Sequence, residues 1–599
     1  MIIDFFASIS FYLIPFLTGS FFTRKIVKAW IFGALIWFGL YFLIFGIAAL
    51  GKLDNFVIIL RVIAIVISAI SIIRLIYLWI RKRSVLKLKR LLAPLFLVVF
   101  FTLVYFLIWK RNTPYPMPLN WDIYEHITLA NLILKGNLSF ITSKISDTFT
   151  FNSYSPFFEI LLSLPKLVFE RSLLGIYWWL EYWHYLITIL ASYILAKKIF
   201  PNIWLALASA LVSGLVFESI MAYSSLFLIP QTLTAVIAIL VFKDIKEHKL
   251  PFLIIAGVLI FLMHYVLGTL SLFILFLGFI FSRYQRLEKY INPFVIFSSI
   301  LAVVLLAINL LGKWKTVNIE EAGHFNFPLL DKIGFLSDWY GVGSIIFLII
   351  GYFIILRKGN LYQKLALGIA LLVFGIAFAP FSYFLKFFVL GRYFLNLVIA
   401  AGIFLLISKQ KILFKTGILS IIAFSLLLVF DKNQANYKES LHFKNYVTQA
   451  SFEEINASKW LFKHKKEGDF LISDPATQYI FEASSEVNTQ GGVYMNLQTR
   501  KLLSGINYSN DRGLIKNKLL GIEDLLLNKY PKKRTLFILS GRYFAWQDFP
   551  ETEKESSFYN VWAPRLINEK ENAYIDYLLQ DNQFKLLYRN DQVAILELL

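Results

Sequence analysis

The chain has 599 residues, 58% of them hydrophobic and only 16% charged, with 59 Phe and 14 Trp. A soluble chain of this length would carry more charge, so the composition excludes one and predicts a polytopic α-helical membrane protein. The net charge of +21 is then no footprint of nucleic acid, because cytoplasmic loops of membrane proteins collect Lys and Arg. The absence of cysteine removes disulfides and thiolate metal sites.

Fourteen hydrophobic segments follow one another, roughly at 2–22, 29–50, 56–80, 91–109, 173–196, 202–222, 226–242, 251–264, 267–282, 293–312, 343–356, 363–380, 386–407 and 412–430. Asp4 stands where a signal peptide would be basic, and no small-x-small cleavage site follows. The first segment therefore reads as a retained helix. The eighth and ninth segments are divided at His264-Tyr265.

Charge sets the sidedness. If Arg81–Arg90 is cytoplasmic, counting helices places Arg24, Lys25 and Lys28, then Lys197 and Lys198, Lys243–Lys249, Arg283–Lys289, Arg357–Lys364 and Lys409–Lys415 on the same side. Both termini are then extracytoplasmic. So are loops 110–172 and 313–342 and the polar stretch 431–599. That stretch has no apolar span and alternates strand and helix patterns: helices at 452–462 and 512–527, strands at 469–473, 534–539 and 592–598, and a turn at Asp474-Pro475. It predicts a small extracytoplasmic α/β or α+β domain. Sequons at Asn137, Asn456 and Asn507 carry no weight without the organism.

Loop 110–172 holds Trp121-Asp122-Ile123-Tyr124-Glu125-His126. The i, i+3, i+4 spacing puts Asp122, Glu125 and His126 on one helix face. Ile123, Ile127, Ala130 and Leu134 line another, and Lys135-Gly136-Asn137 supplies a glycine stop. A second amphipathic stretch covers 157–169. Loop 313–342 carries Glu320, Glu321, His324, Asp331 and Asp338.

Ionisable groups inside spans are costly and mark function. Glu181, His184, Glu218, Gln231, His264, Lys386 and Arg392 all fall in the outer halves or outer ends of their segments. Glu181 and His184 could instead satisfy each other, and Arg61 and Arg74 read as structural. Arg392 needs an anion, a carboxylate or a lipid phosphate. An outward cavity of this kind suits sugar transfer from a lipid phosphate: a carboxylate takes the acceptor's proton, and Arg or Lys stabilises the departing phosphate. The same carboxylates, Asp122 and Glu125, could alternatively bind Mg²⁺ or Mn²⁺ through oxygen.

Asp122-x-x-Glu125-His126 with Ala130, Leu134, Gly136 and Asn137 resembles the first-external-loop signature of the GT-C superfamily of membrane glycosyltransferases. Oligosaccharyltransferase catalytic subunits, protein O-mannosyltransferases and lipid A aminoarabinose transferases belong to it. The resemblance implies a GT-C-like core at 91–430, preceded by three additional helices at 1–90. It implies Asp122 as the catalytic or metal-binding acid, with Glu125 or His126 as its second member, and loop 313–342 as an active-site loop. The expected partners are a polyprenyl-phosphate sugar donor, a protein, glycan or lipid acceptor, and membrane lipids. The WWDYG-type motif of oligosaccharyltransferases is not found. Asp338-Trp339-Tyr340-Gly341 is similar but lies in an earlier loop, which favours single-sugar transfer. The alternative, a transporter or flippase of a lipid-linked glycan or anionic lipid, predicts midplane charges, broken helices and repeats. Here the polar groups sit at outer ends, and there is no repeat. A non-catalytic receptor would leave Asp122, Glu125 and Arg392 without joint purpose.

Overall fold

A helix lies in each of the fourteen predicted segments of the computed structural model. It describes residues 1–51, 56–82, 92–110, 115–116, 122–135, 156–216, 227–310, 329–378, 384–408, 410–439, 450–466, 468–487, 489, 501–503, 506, 511–524, 534–548, 564–580 and 582–599. Chain order runs α1 (Ile2–Gly19), α2 (Ile26–Gly51), α3 (Phe56–Lys82), α4 (Leu92–Val104), α5 (Asp122–Leu134), α6 (Phe157–Phe169), α7 (Leu173–Ile199), α8 (Ile203–Leu215) and α9 (Pro230–Phe242). It continues with α10 (Leu250–Met263), α11 (Tyr265–Arg283), α12 (Ile291–Leu310), α13 (Leu329–Lys358), α14 (Leu361–Phe378), α15 (Phe384–Ile407) and α16 (Ile412–Glu439). Eight helices among the described residues are long and apolar enough to cross a bilayer, and six apolar helices are shorter.

Burial follows the lipid rule rather than the aqueous one. The α3 side chains Ile58, Val62, Ile65 and Ile73 are exposed, as suits a helix whose solvent on one side is hydrocarbon. By contrast α15 is almost wholly buried, packed against α8, α9, α13 and α14. The expected break at His264 is present. His264 is extended (φ −160°, ψ 105°) and caps α11, its Nδ1 accepting from Leu267 N at 3.2 Å. One boundary moves: α13 starts at Leu329, inside the predicted loop, and kinks at Gly341 (φ +70°). Only glycine adopts that φ at no steric cost.

Four basic loops meet at one end of the bundle. Lys25 and Lys198 both bond Glu247, at 3.0 and 2.9 Å, and Arg283 Nη2 donates to His248 O at 2.9 Å. Elsewhere α1 and α2 cross at glycine. A Cβ on Gly33 would stand 1.7 Å from Pro15 O, and one on Gly19 1.7 Å from Ala29 O. Close approach through small residues is how apolar helices associate in lipid. Gly33→Ala is expected to drive the two helices apart and lower the thermal unfolding midpoint, read in detergent against Gly39→Ala, where a Cβ meets nothing within 4 Å.

The polar C-terminal stretch forms one four-stranded mixed sheet. Its elements are α17 (Phe452–His464), β1 (Asp469–Ile472), α18 (Pro475–Ser485), α19 (Arg512–Asp524), β2 (Arg534–Ser540), α20 (Gly541–Gln547), α21 (Glu569–Leu579), β3 (Phe584–Arg589) and β4 (Val593–Leu598). Strand order is β1-β2-β4-β3, with β1 and β2 parallel and the other pairs antiparallel. Asp474-Pro475 is not a plain turn. Asp474 caps α18, accepting from Ala476 N and Thr477 N, both at 3.0 Å, and Pro475 takes the first helical position, where its missing N–H costs nothing.

Candidate active site

Helix α5 forms as its spacing predicts. Ile123, Ile127 and Ala130 are fully buried, and the helix packs against α6, α7 and α18. Asp122 opens it, where the helix dipole favours a carboxylate; its side chain lies outside the described ones. Glu125 and His126 are both half-buried. At about 100° per residue, Glu125 and His126 stand within about 60° of Asp122 round the axis.

His126 is held by a residue that the sequence did not single out. Its Nδ1 lies 2.6 Å from Glu159 Oε1 on α6, and its ring meets Phe158 edge-on at 5.1 Å. Glu159 is buried in the first turn of α6. The available signal was that Glu159 is the only acid in 157–169. Helix α10, which ends at His264, packs on α6, and α11 packs on α15, whose first turn holds Lys386. These elements bring α5, α6, the α10–α11 turn and the start of α15 to one place.

A second polar group lies in the bundle. After α4 the chain continues as a π-helix, Tyr105–Trp109, and delivers Lys110 to Glu181 on α7. Nζ and Oε2 are 2.5 Å apart, both side chains nearly inaccessible, and Nζ also sits 5.2 Å from the Trp178 ring centroid. Glu181 thus has a full ammonium as a buried partner, one that its own helix does not supply. His184 is buried one turn away.

Arg392 is fully buried and donates from Nη2 to Ser213 O at 2.5 Å, in the last turn of α8. That end is the negative pole of the helix, so the Ser213 carbonyl supplies negative potential to the guanidinium. Gln231 is buried in the first turn of α9. Glu218, Glu320, Glu321 and His324 lie outside the described residues, as do the side chains of Asp331 and Asp338. Arg61 and Arg74 bond helix ends, Arg61 Nε to Leu167 O at 2.7 Å and Arg74 Nη1 to Ser20 O at 3.2 Å. Among the described residues no three His, Asp or Glu side chains gather as a metal-binding set; the side chain of Asp122, one of the two carboxylates expected to hold Mg²⁺ or Mn²⁺, lies outside them.

The back of α5 meets the C-terminal sheet domain. Tyr124 packs on Tyr479 of α18, ring centroids 6.1 Å apart. Glu486, the left-handed C-cap of α18 (φ +61°), receives Lys166 of α6 on Oε1 and Lys465 on Oε2 at 3.3 Å, and its carbonyl accepts from Lys135 at 2.8 Å. Burial alone would raise the Glu486 carboxyl, but Lys166 and Lys465 outweigh it and hold the group below its ordinary value. Below the ordinary value the unfolded state binds more protons than the native one. The stabilisation is thus complete above about pH 4.3 and is lost as pH falls through the depressed native value. Limited proteolysis of the 450–599 region from pH 6 down to 3 is expected to show acid-induced release, shifted or absent in Glu486→Gln.

No family model matches the sequence, and no curated protein matches it. Among solved structures, the chain is similar to the apo crystal structure of the Archaeoglobus fulgidus oligosaccharyltransferase, at 10% identity and a TM-score of 0.44, over 76% of this chain and 70% of that one. It is also similar to that enzyme tethered to an acceptor peptide containing the NVT sequon, at 11% identity and a TM-score of 0.44, over 77% and 70%. A third structure, the archaeal oligosaccharyltransferase AglB from Archaeoglobus fulgidus with an inhibitory peptide and a dolichol-phosphate, gives 11% identity and a TM-score of 0.43, over 74% and 69%.

Proposed function

We propose that the protein is a GT-C-like membrane glycosyltransferase that moves a sugar from a polyprenyl-phosphate donor to an acceptor at the extracytoplasmic face. The observation that carries this reading is the His126–Glu159 bond on α5 and α6. In this reading the acidic face of α5 and the Lys386 cation work together at the outer ends of the spans.

In this reading Asp122 takes the proton from the acceptor hydroxyl or amide as that atom attacks the sugar's anomeric carbon. The bond from carbon to phosphate oxygen breaks, and polyprenyl phosphate leaves with the electron pair. Lys386 balances the charge growing on that phosphate, and Arg392, oriented by Ser213 O, adds to the positive field. Glu159 accepts from Nδ1 of His126 and so presents Nε2 toward the acceptor, as second-layer carboxylates do for imidazoles. Glu125 is the further carboxylate on that face.

The test is a transfer assay with the purified protein in liposomes carrying a polyprenyl-phosphate sugar. Lys386→Met is expected to raise the donor concentration for half-maximal transfer about 10–100-fold, the worth of one charge-assisted hydrogen bond. An unchanged donor dependence would remove Lys386 from the phosphate side. Movement of labelled lipid between leaflets with no covalent product would replace transfer by transport.

A further inference from the structure

Helix α5 has two faces with different duties. Asp122, Glu125 and His126 share one face. Tyr124, Asn131 and Lys135 stand about 180–220° round the axis from Asp122, on the opposite side. That back face is where the C-terminal domain grips. Tyr124 meets Tyr479, and Lys135 Nζ donates to Glu486 O at 2.8 Å. Asn131 Oδ1 accepts from Lys166 Nζ at 2.8 Å while the same Nζ also pairs with Glu486 Oε1. Glu486 is therefore a node joining the end of α5, the last turn of α6, the end of α17 through Lys465, and α18, whose left-handed C-cap it forms.

We infer that Glu486 is a positioning residue: through Lys135 and Lys166 it locks α5 and α6 in register, so that the C-terminal domain holds the acidic face of α5 toward the site. The register matters because His126–Glu159 and Asn131–Lys166 are rungs of the same α5–α6 interface. From His126 to Asn131 the helix rises about 7.5 Å, and from Glu159 to Lys166 about 10 Å. Releasing the far rung frees the near one to slide, and a misplacement of about 1 Å can cost about 10²-fold in rate. The groups facing the node are Lys135 from α5, Lys166 from α6, Lys465 after α17, and Glu482 on α18, which accepts from Thr489. Desolvation of the ammonium, then the charge of Lys465, brings Lys135 down to about 8, as expected where several lysines crowd together.

This role rests on the glycosyltransferase reading, but its mechanical half does not. The experiment therefore has two readouts on full-length protein in liposomes: hydrogen–deuterium exchange over 123–134, and transfer kinetics. Glu486→Gln is expected to raise exchange in 123–134 and to lower kcat about tenfold or more, with donor KM unchanged. The swap Lys166→Glu with Glu486→Lys restores both. Unchanged exchange in Glu486→Gln overturns the latch itself. Raised exchange with unchanged kcat overturns the positioning role. If the parent protein transfers no sugar, the glycosyltransferase reading fails, while raised exchange and its rescue by the swap still establish the latch.

Discussion

Asp122→Asn is expected to abolish transfer, lowering kcat about 10²–10⁴-fold, the usual contribution of a positioned general base. The substitution keeps shape and hydrogen-bonding reach and removes only basicity. Its structural cost is small, because Asp122 stands at the first position of α5, and losing a charge–dipole contact there costs about 0.3–1 kcal/mol. A folded, inserted protein with no transfer is therefore the predicted phenotype, read by the liposome assay together with the thermal unfolding midpoint. Full activity in the variant would move the base to Glu125. Glu125→Gln and His126→Asn made in parallel resolve which of them works with Asp122, since the one whose loss also shifts the pH profile takes part in proton transfer.

Arg542→Met is expected to destabilise the C-terminal domain by about 3–5 kcal/mol, the range found when one member of a buried ion pair is removed. Arg542 is inaccessible and donates to Glu454 through Nε at 2.6 Å and Nη2 at 3.1 Å. Glu454 closes the capping box of α17 with Ser451 and is itself buried, so the variant strands its charge. The double variant Glu454→Gln with Arg542→Met should recover much of the loss, because a buried polar pair replaced on both sides is far less costly than one half broken. Chemical unfolding monitored by tryptophan fluorescence measures the difference. A single variant within about 1 kcal/mol of the parent would contradict the burial of the pair.

The apolar helices were legible because lipid demands long apolar runs: a helix lies in each of the fourteen segments, and eight among the described residues are long and apolar enough to cross a bilayer. The break at His264 was legible because the two apolar runs together exceed one span. Less of the C-terminal domain could be read. Helix α18 hid behind Asp474-Pro475, a pair that serves equally as turn and helix start. Strand β3, with both Lys585 and Leu586 exposed, lacks the continuous buried run that marks β1, β2 and β4. At the site, the grouping of Asp122, Glu125 and His126 followed from helical spacing. Glu159 and Lys110 did not, since their partners His126 and Glu181 are 33 and 71 residues away. Lone charged residues in apolar stretches carry no partner's address.

The three helices before the expected core brace the site from behind. Tyr41 on α2 bonds Ser163 Oγ at 2.8 Å, one turn beyond Glu159 on α6. Arg61 on α3 bonds Leu167 O at 2.7 Å and pairs with Glu170, and α1 packs on both α6 and α7. Helix α6 is thus pinned by the N-terminal helices within one turn of the carboxylate that pairs with His126. A minimal version trimmed to residues 91–599 would keep every proposed catalytic side chain and lose the wall against which one of them is aimed. Engineering or transplanting the core must therefore carry that wall along.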